Sequence, residues 1–273
     1  MPIDEATART RLPDLLSWLE RIRTALEPEL GAVKYRSDDD FAFMALCFLS
    51  KQIDHAYSLP RLSPLKDTAL VSRCMFEGLV QLLWAAHEKS DRPARWRAFA
   101  VVEDWRTLPR RRSEGFEPTP EMMERLNEAL QEVEPLVLTA KAKEAKRRGD
   151  SLPADPYHKN WRAGTTLTTI CDAVDAADLR DNFYSPYSGW AHWSPATIGD
   201  RLSKTERGVQ YGPPQSYAFA ASAVALAIPC LLQTAYLAFA HLDLPGTALV
   251  EALRDEFEAW HAAQKGHERG EDT

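Results

Sequence analysis

The signatures of nucleotide and metal chemistry are missing from this sequence: it holds no G-x-G-x-x-G, no P-loop, no H-E-x-x-H and no cysteines at zinc spacing. His55, His87, His158, His192, His241, His261 and His267 are scattered, so neither a metal nor another cofactor is expected. Cysteine is scarce, with four in 273 residues. Cys47, Cys74, Cys171 and Cys230 lie far apart without C-x-x-C spacing. This excludes a disulfide scaffold and reads as free, mostly buried thiols in a reducing compartment. Only 12 residues are glycine, which excludes collagen-like and low-complexity chains. No Asn-Gly hairpin or sustained alternation argues for strands. Basic charge is not in excess either: 40 acidic residues against 33 basic ones give −7. A globally basic binder of duplex DNA or anionic membrane is therefore disfavoured. The first residues, MPIDEATARTRLPD, lack an apolar core, so no secretory leader is expected and the cytoplasm is the default location.

Long apolar runs are nearly absent as well. The exception is Ala218 to Ala240, long enough to span a bilayer and free of formal charge. It is alanine-rich, contains Pro229, Gln233 and Thr234, and has no flanking basic cluster, which fits the buried central helix of a bundle better than a membrane span.

What the chain does hold is helical periodicity. Leu15, Leu16, Leu19, Ile22 and Leu26 form one face of a first helix that Gly31 closes. Ser37 and the acidic run Asp38, Asp39, Asp40 supply the start of an apolar helix over about 41–57. A third helix spans about 65–88 and a fourth about 94–108. The 109–120 stretch reads as a loop, and Thr119-Pro120-Glu121 opens a long helix, bent at Pro135, that ends before Gly149. A shorter helix covers about 166–177. Ser185 is expected to cap a brief helix that Pro195 ends, with a polar loop leading to the 218–240 helix and an amphipathic helix from Pro245. The expected architecture is all-α: one bundle of about eight or nine helices over 1–263, with a disordered tail at 264–273.

Two constellations could carry chemistry. Arg73 and Glu77 share a face of an otherwise apolar helix, continued by Gln81. The stripe is either the solvent side of a mostly buried helix or a buried charged pair, in which the arginine holds an anion and the glutamate orients it or takes a proton. In FYSPYSGWAHWSP, residues 183–195, Ser188 and His192 stand one turn apart, Tyr184 lies just before them, and Trp190 and Trp193 offer flat apolar walls. The histidine is either an acid–base group or a structural crosslink between helices.

The Arg73-x-x-x-Glu77 helix, the arginine-bearing ARWRAFAVVEDW that follows and the Tyr184-x-x-x-Ser188-x-x-x-His192 segment together resemble a bacterial family known only as a domain of unknown function. That family is in turn reminiscent of the HEPN proteins, helical bundles that often dimerise and many of which are metal-independent RNases in toxin–antitoxin and phage-defence systems. The resemblance implies a HEPN-like core, a homodimer and RNA as partner. The closely spaced Arg…His pair of HEPN nucleases is absent around His192; the one formal match, Arg254 with His261, lies in acidic surroundings on the last helix.

Charge is also local. Residues 92–112 hold seven arginines against Glu103 and Asp104, a net of +5, and another basic run covers 141–148. Each is either a solvated face or a phosphate-contacting groove. Three functions follow as expectations. In a ribonuclease or defence effector, Arg73 and Arg97 bind phosphate, Glu77 and His192 handle charge and protons, and Ser188 and Tyr184 position the scissile group. In a non-catalytic interaction or sensor module, the same groups form one interhelical polar network. The third is a small-molecule pocket between helices lined by tryptophans.

Overall fold

A computed structural model describes residues 4–270 except 32, 193, 196–198, 200, 201, 207, 213 and 214. Apolar spacing sets the elements. Leu12, Leu15, Leu19, Ile22 and Leu26 bury one face of α1 (Glu5–Gly31). Asp39 caps α2 (Asp40–Leu62) by accepting the Ala42 amide at 2.9 Å, so the third residue of the Ser37–Asp40 run is the one used. α2 continues past the expected stop, through Pro60 to Leu62. α3 (Thr68–Ala86) follows. α4 (Arg92–Ser113) also runs through a proline, Pro109, and its last turn carries Arg110, Arg111 and Arg112, where cations face the free carbonyls.

The expected long helix after Thr119 is two. Thr119 caps α5 (Pro120–Val137), and Thr139 caps α6 (Ala140–Arg148), each accepting an amide three residues on. The break falls at Leu138, whose extended backbone pairs with Tyr157. Gly149, at φ 76°, ends α6 in the left-handed conformation that suits glycine. α7 (Leu167–Ala173) and α8 (Ala177–Leu179) precede a π-helical stretch, Arg180–Tyr184, that runs directly into α9 (Ser185–Ala191). Ser185 is helical and its amide already bonds the Arg180 carbonyl, so it is not the cap the sequence suggests.

The polar loop contains an unexpected hairpin, β1 (Leu202–Thr205) against β2 (Gly208–Tyr211), with Thr205 opposite Gly208. Leu202 and Val209 are exposed, so no buried face imposes alternation and the sequence carries no strand signal. The chain ends with α10 (Tyr217–His241) and α11 (Gly246–Gly270).

α10 is the hub of an all-α bundle and packs against α1, α2, α3 and α11. Ala220, Ala221, Ala223, Ala227, Ala235 and Ala238 are buried along it, and their small side chains admit neighbours at close range. Pro229 lies on its exposed side, where water can satisfy the carbonyl that lacks a donor. α10 and α3 are both long and apolar enough to cross a membrane, but two thirds of the window in α10 and half of that in α3 are buried against other helices of the chain. Polar ties fix the register: Ser72 Oγ donates to the Ala223 carbonyl at 2.7 Å, and Gln52 Nε2 to that of Met75 at 2.8 Å. A smaller apolar cluster of Ala98, Phe99, Val102 and Val137 joins α4 to α5.

Candidate functional site

Helical spacing puts Arg73 and Glu77 one turn apart on the side of α3 that the 180–191 segment crosses. The Arg73 guanidinium donates to Glu77 Oε1 at 2.9 Å through Nε and to the Tyr184 hydroxyl at 3.1 Å through Nη2. Its Cζ also lies 4.9 Å from the centre of the Tyr184 ring, a cation–π contact. The same ring packs on Phe76. Both charges are partly shielded, with 16% of the Arg73 side chain and 31% of the Glu77 side chain exposed. The stripe on α3 is thus a half-buried pair rather than a plain solvent face. Burial opposes the charge on Arg73, yet Glu77 and Tyr184 hold its pKa above the ordinary arginine value. Burial, followed by the Glu77 charge, pushes the Tyr184 hydroxyl up, so it is protonated at neutral pH.

The other expected site residues do not join this group. His192 is exposed at the end of α9, where its amide donates to the Ser188 carbonyl at 2.9 Å. Among the described residues neither the His192 nor the Ser188 side chain forms a hydrogen bond with Arg73, Glu77 or Tyr184. Arg97 contacts the start of α2 instead, donating to the Ser37 carbonyl and Asp40 Oδ1 and covering the Phe43 ring. Trp193 lies outside the described residues, and Trp190 Nε1 donates to Asp67 at 3.0 Å. Arg254 and His261 are engaged elsewhere, Arg254 beside Asp255 and over Tyr236, and His261 stacked on Phe257.

The basic segment on α4 is largely neutralised from within. Arg92 pairs with Glu88, Arg95 with Asp91, Arg97 with Asp40 and Arg110 with Glu114. Arg106 clamps Asp155 and the His158 carbonyl. Arginines committed in this way form scaffold more than an open phosphate groove.

A cleft of about 310 Å³ lies between α2 and α3, closed at one side by Trp96 of α4; the sequence suggests a tryptophan-lined pocket between helices but neither its place nor most of its lining. Cys47, Lys51 and His55, each four apart, line one wall; Cys74, Glu77 and Gln81 line the other. Glu77 therefore faces both the arginine pair and the cleft. Burial, then the charge of Lys51, lowers the His55 pKa, so its imidazole is neutral at pH 7. Partial desolvation by the surrounding cleft walls raises the thiols of Cys47 and Cys74, so they are not thiolates at neutral pH, although Cys74 keeps an exposed surface. Each wall is a legible stripe in sequence; that the two face each other is not. Among the described residues no three His, Cys, Asp or Glu side chains are grouped to hold a metal.

Fold and site together define an all-helical bundle in which a half-buried arginine–glutamate–tyrosine group borders a small cleft. The chain belongs to a family of unknown function, DUF5677, whose model matches residues 42–209. The match contains α2 from its third residue on, α3, α9 and every residue of the arginine group and the cleft. No curated protein and no solved structure matches the chain.

Proposed function

We propose that this protein is a non-catalytic helical sensor or interaction module of the cytoplasm, in which Arg73, Glu77 and Tyr184 latch the 180–191 segment onto α3. One observation carries the reading: a single guanidinium holds a carboxylate of its own helix and a hydroxyl 111 residues away. A half-buried pair of this kind lies between exposed bridges, about 0–1 kcal/mol, and buried ones, about 3–5 kcal/mol when broken. It is strong enough to set register and weak enough to open. Tyr184 ends a π-helical stretch, and such insertions are frequent at functional sites. A ligand or protein that competes for Glu77 would free Tyr184 and with it α9.

The second reading is a metal-independent, HEPN-like ribonuclease or phage-defence effector acting on RNA, with homodimerisation. It is favoured by the exposure of His192, which follows the short helix that starts directly after Tyr184. In it Arg73 and Arg97 hold phosphate, Glu77 and His192 exchange protons, and Ser188 orients the substrate.

Purified protein incubated with RNA in excess chelator separates the two. The module reading expects intact RNA, a lower melting temperature for Arg73→Ala and an unchanged one for His192→Ala. RNA cleavage that His192→Ala abolishes would establish the ribonuclease and overturn the module.

A further inference from the structure

The cleft between α2 and α3 has the walls of a ligand site. Phe48 and Trp96 meet edge to face, with ring centres 5.5 Å apart, and form an aromatic corner. Gly78 lets α3 approach α2 closely below this corner: a Cβ there would meet Gln52 Nε2 at 3.3 Å and Phe48 at 3.9 Å. The aromatic corner itself favours a flat ring.

The polar groups are few and convergent. Gln52 is 2% exposed and lines the cleft. Its Nε2 is used by the Met75 carbonyl and Thr234, which fixes the amide orientation, and leaves Oε1 without a donor. A buried amide oxygen without a partner is uncommon, and an N–H on a bound molecule would satisfy it. Glu77 adds a second acceptor on the opposite wall. At the rim Lys51 is exposed and makes no ion pair among the described residues, so it is free to meet an anion.

We propose that this cleft binds a small planar heteroaromatic anion, its ring against Phe48 and Trp96, its N–H toward Gln52 and Glu77, and its carboxylate or phosphate on Lys51. The volume, about 310 Å³, lies at the small end of ligand clefts, roughly 300–1,000 Å³, and suits one ring system better than a dinucleotide. The proposal deepens the sensor reading and rests on it for the passage of a signal to Tyr184; binding is measured apart from that passage.

The test uses the full chain and three probes: indole-3-carboxylate, adenosine 5′-monophosphate, and 1-naphthoate, which keeps ring and charge but lacks an N–H. Binding is followed by calorimetry and by the rise in melting temperature. At least one of the two N–H probes should bind saturably, and 1-naphthoate about tenfold more weakly, the loss of roughly one hydrogen bond in a buried site. Lys51→Gln should weaken the N–H probe about threefold to fivefold and flatten its salt dependence. Gln52→Met should abolish the preference over 1-naphthoate. Failure of both N–H probes to bind, or binding indifferent to Lys51→Gln and Gln52→Met, overturns the proposal. Binding that is intact but leaves hydrogen exchange of 180–191 unchanged supports the ligand site and refutes the sensor reading instead.

Discussion

Removing Arg73 is the perturbation that most directly probes how the 180–191 segment is held. Arg73→Ala deletes an ion pair with 16% and 31% of the two side chains exposed, a 3.1 Å hydrogen bond to Tyr184 and a cation–π contact at 4.9 Å. The half-buried pair is worth about 1–2 kcal/mol, between the exposed and buried limits. The hydrogen bond adds about 0.5–1.5 kcal/mol and the cation–π contact about 0.5–1 kcal/mol. Loss of all three gives about 2–4.5 kcal/mol, which at about 2 °C per kcal/mol for a chain of this size lowers Tm by roughly 4–9 °C. Tyr184→Phe removes only the hydroxyl and should cost about 1 kcal/mol. The double variant is the decisive arm, because the hydroxyl has lost its donor once Arg73 is alanine. The two single losses should exceed the double loss by about 0.5–1 kcal/mol in urea unfolding followed by circular dichroism. Strict additivity would refute the reasoning, since it would mean that arginine and tyrosine do not meet in solution.

Other expectations follow from local geometry. Gly246→Ala places a Cβ 2.8 Å from Cδ2 of the fully buried Phe239 ring, so urea unfolding should show a loss of about 1–3 kcal/mol; an unchanged midpoint would mean the ring can yield. The folded-state pKa of His55 is depressed below 6.5, so the stability this residue permits is present above pH 6.5 and lost as pH falls through its folded value. Wild type should therefore lose more stability between pH 7 and pH 5 than His55→Gln does; equal losses would contradict a desolvated imidazole. At Asp39 burial works against ionisation, but the Ala42 amide and His241 outweigh it and hold the carboxyl below 3.8. Its contribution is present above that value and lost as pH falls through the folded pKa. Asp39→Ala should cost about 1–2 kcal/mol at pH 7 through the lost cap, with the gap to wild type narrowing in acid titrations below pH 3.8. A gap that persists at pH 2 would assign the effect to something other than the carboxylate.

The helices were legible because their causes are local. The leucine face of α1, the Thr119-Pro120 start of α5 and the charge-free run of α10 each reflect spacing within one segment. Pro60 and Pro109 misled as stops, since a helix with a packed face continues through a proline near its end. The split at Leu138 depended on a strand-like pairing with Tyr157, about nineteen residues along the chain and invisible to any periodic pattern. The same divide runs through the site. Arg73 with Glu77 was readable as an i, i+4 pair, and Tyr184 stood out by its place before α9. That these three meet, while Ser188 and His192 do not join them, depends on how a π-helical stretch rotates the segment. The cleft was hidden for the same reason: the 47, 51, 55 stripe and the 74, 77, 81 stripe are each ordinary, and only the α2–α3 packing sets them face to face.

The central claim, that Arg73, Glu77 and Tyr184 latch residues 180–191 onto α3, is tested most directly by amide hydrogen exchange on wild type and Tyr184→Phe. The latch predicts faster exchange in Tyr184→Phe confined to the amides of about 177–192, with those of α1, α2 and α10 unchanged. Identical protection of that segment in the two proteins would contradict it.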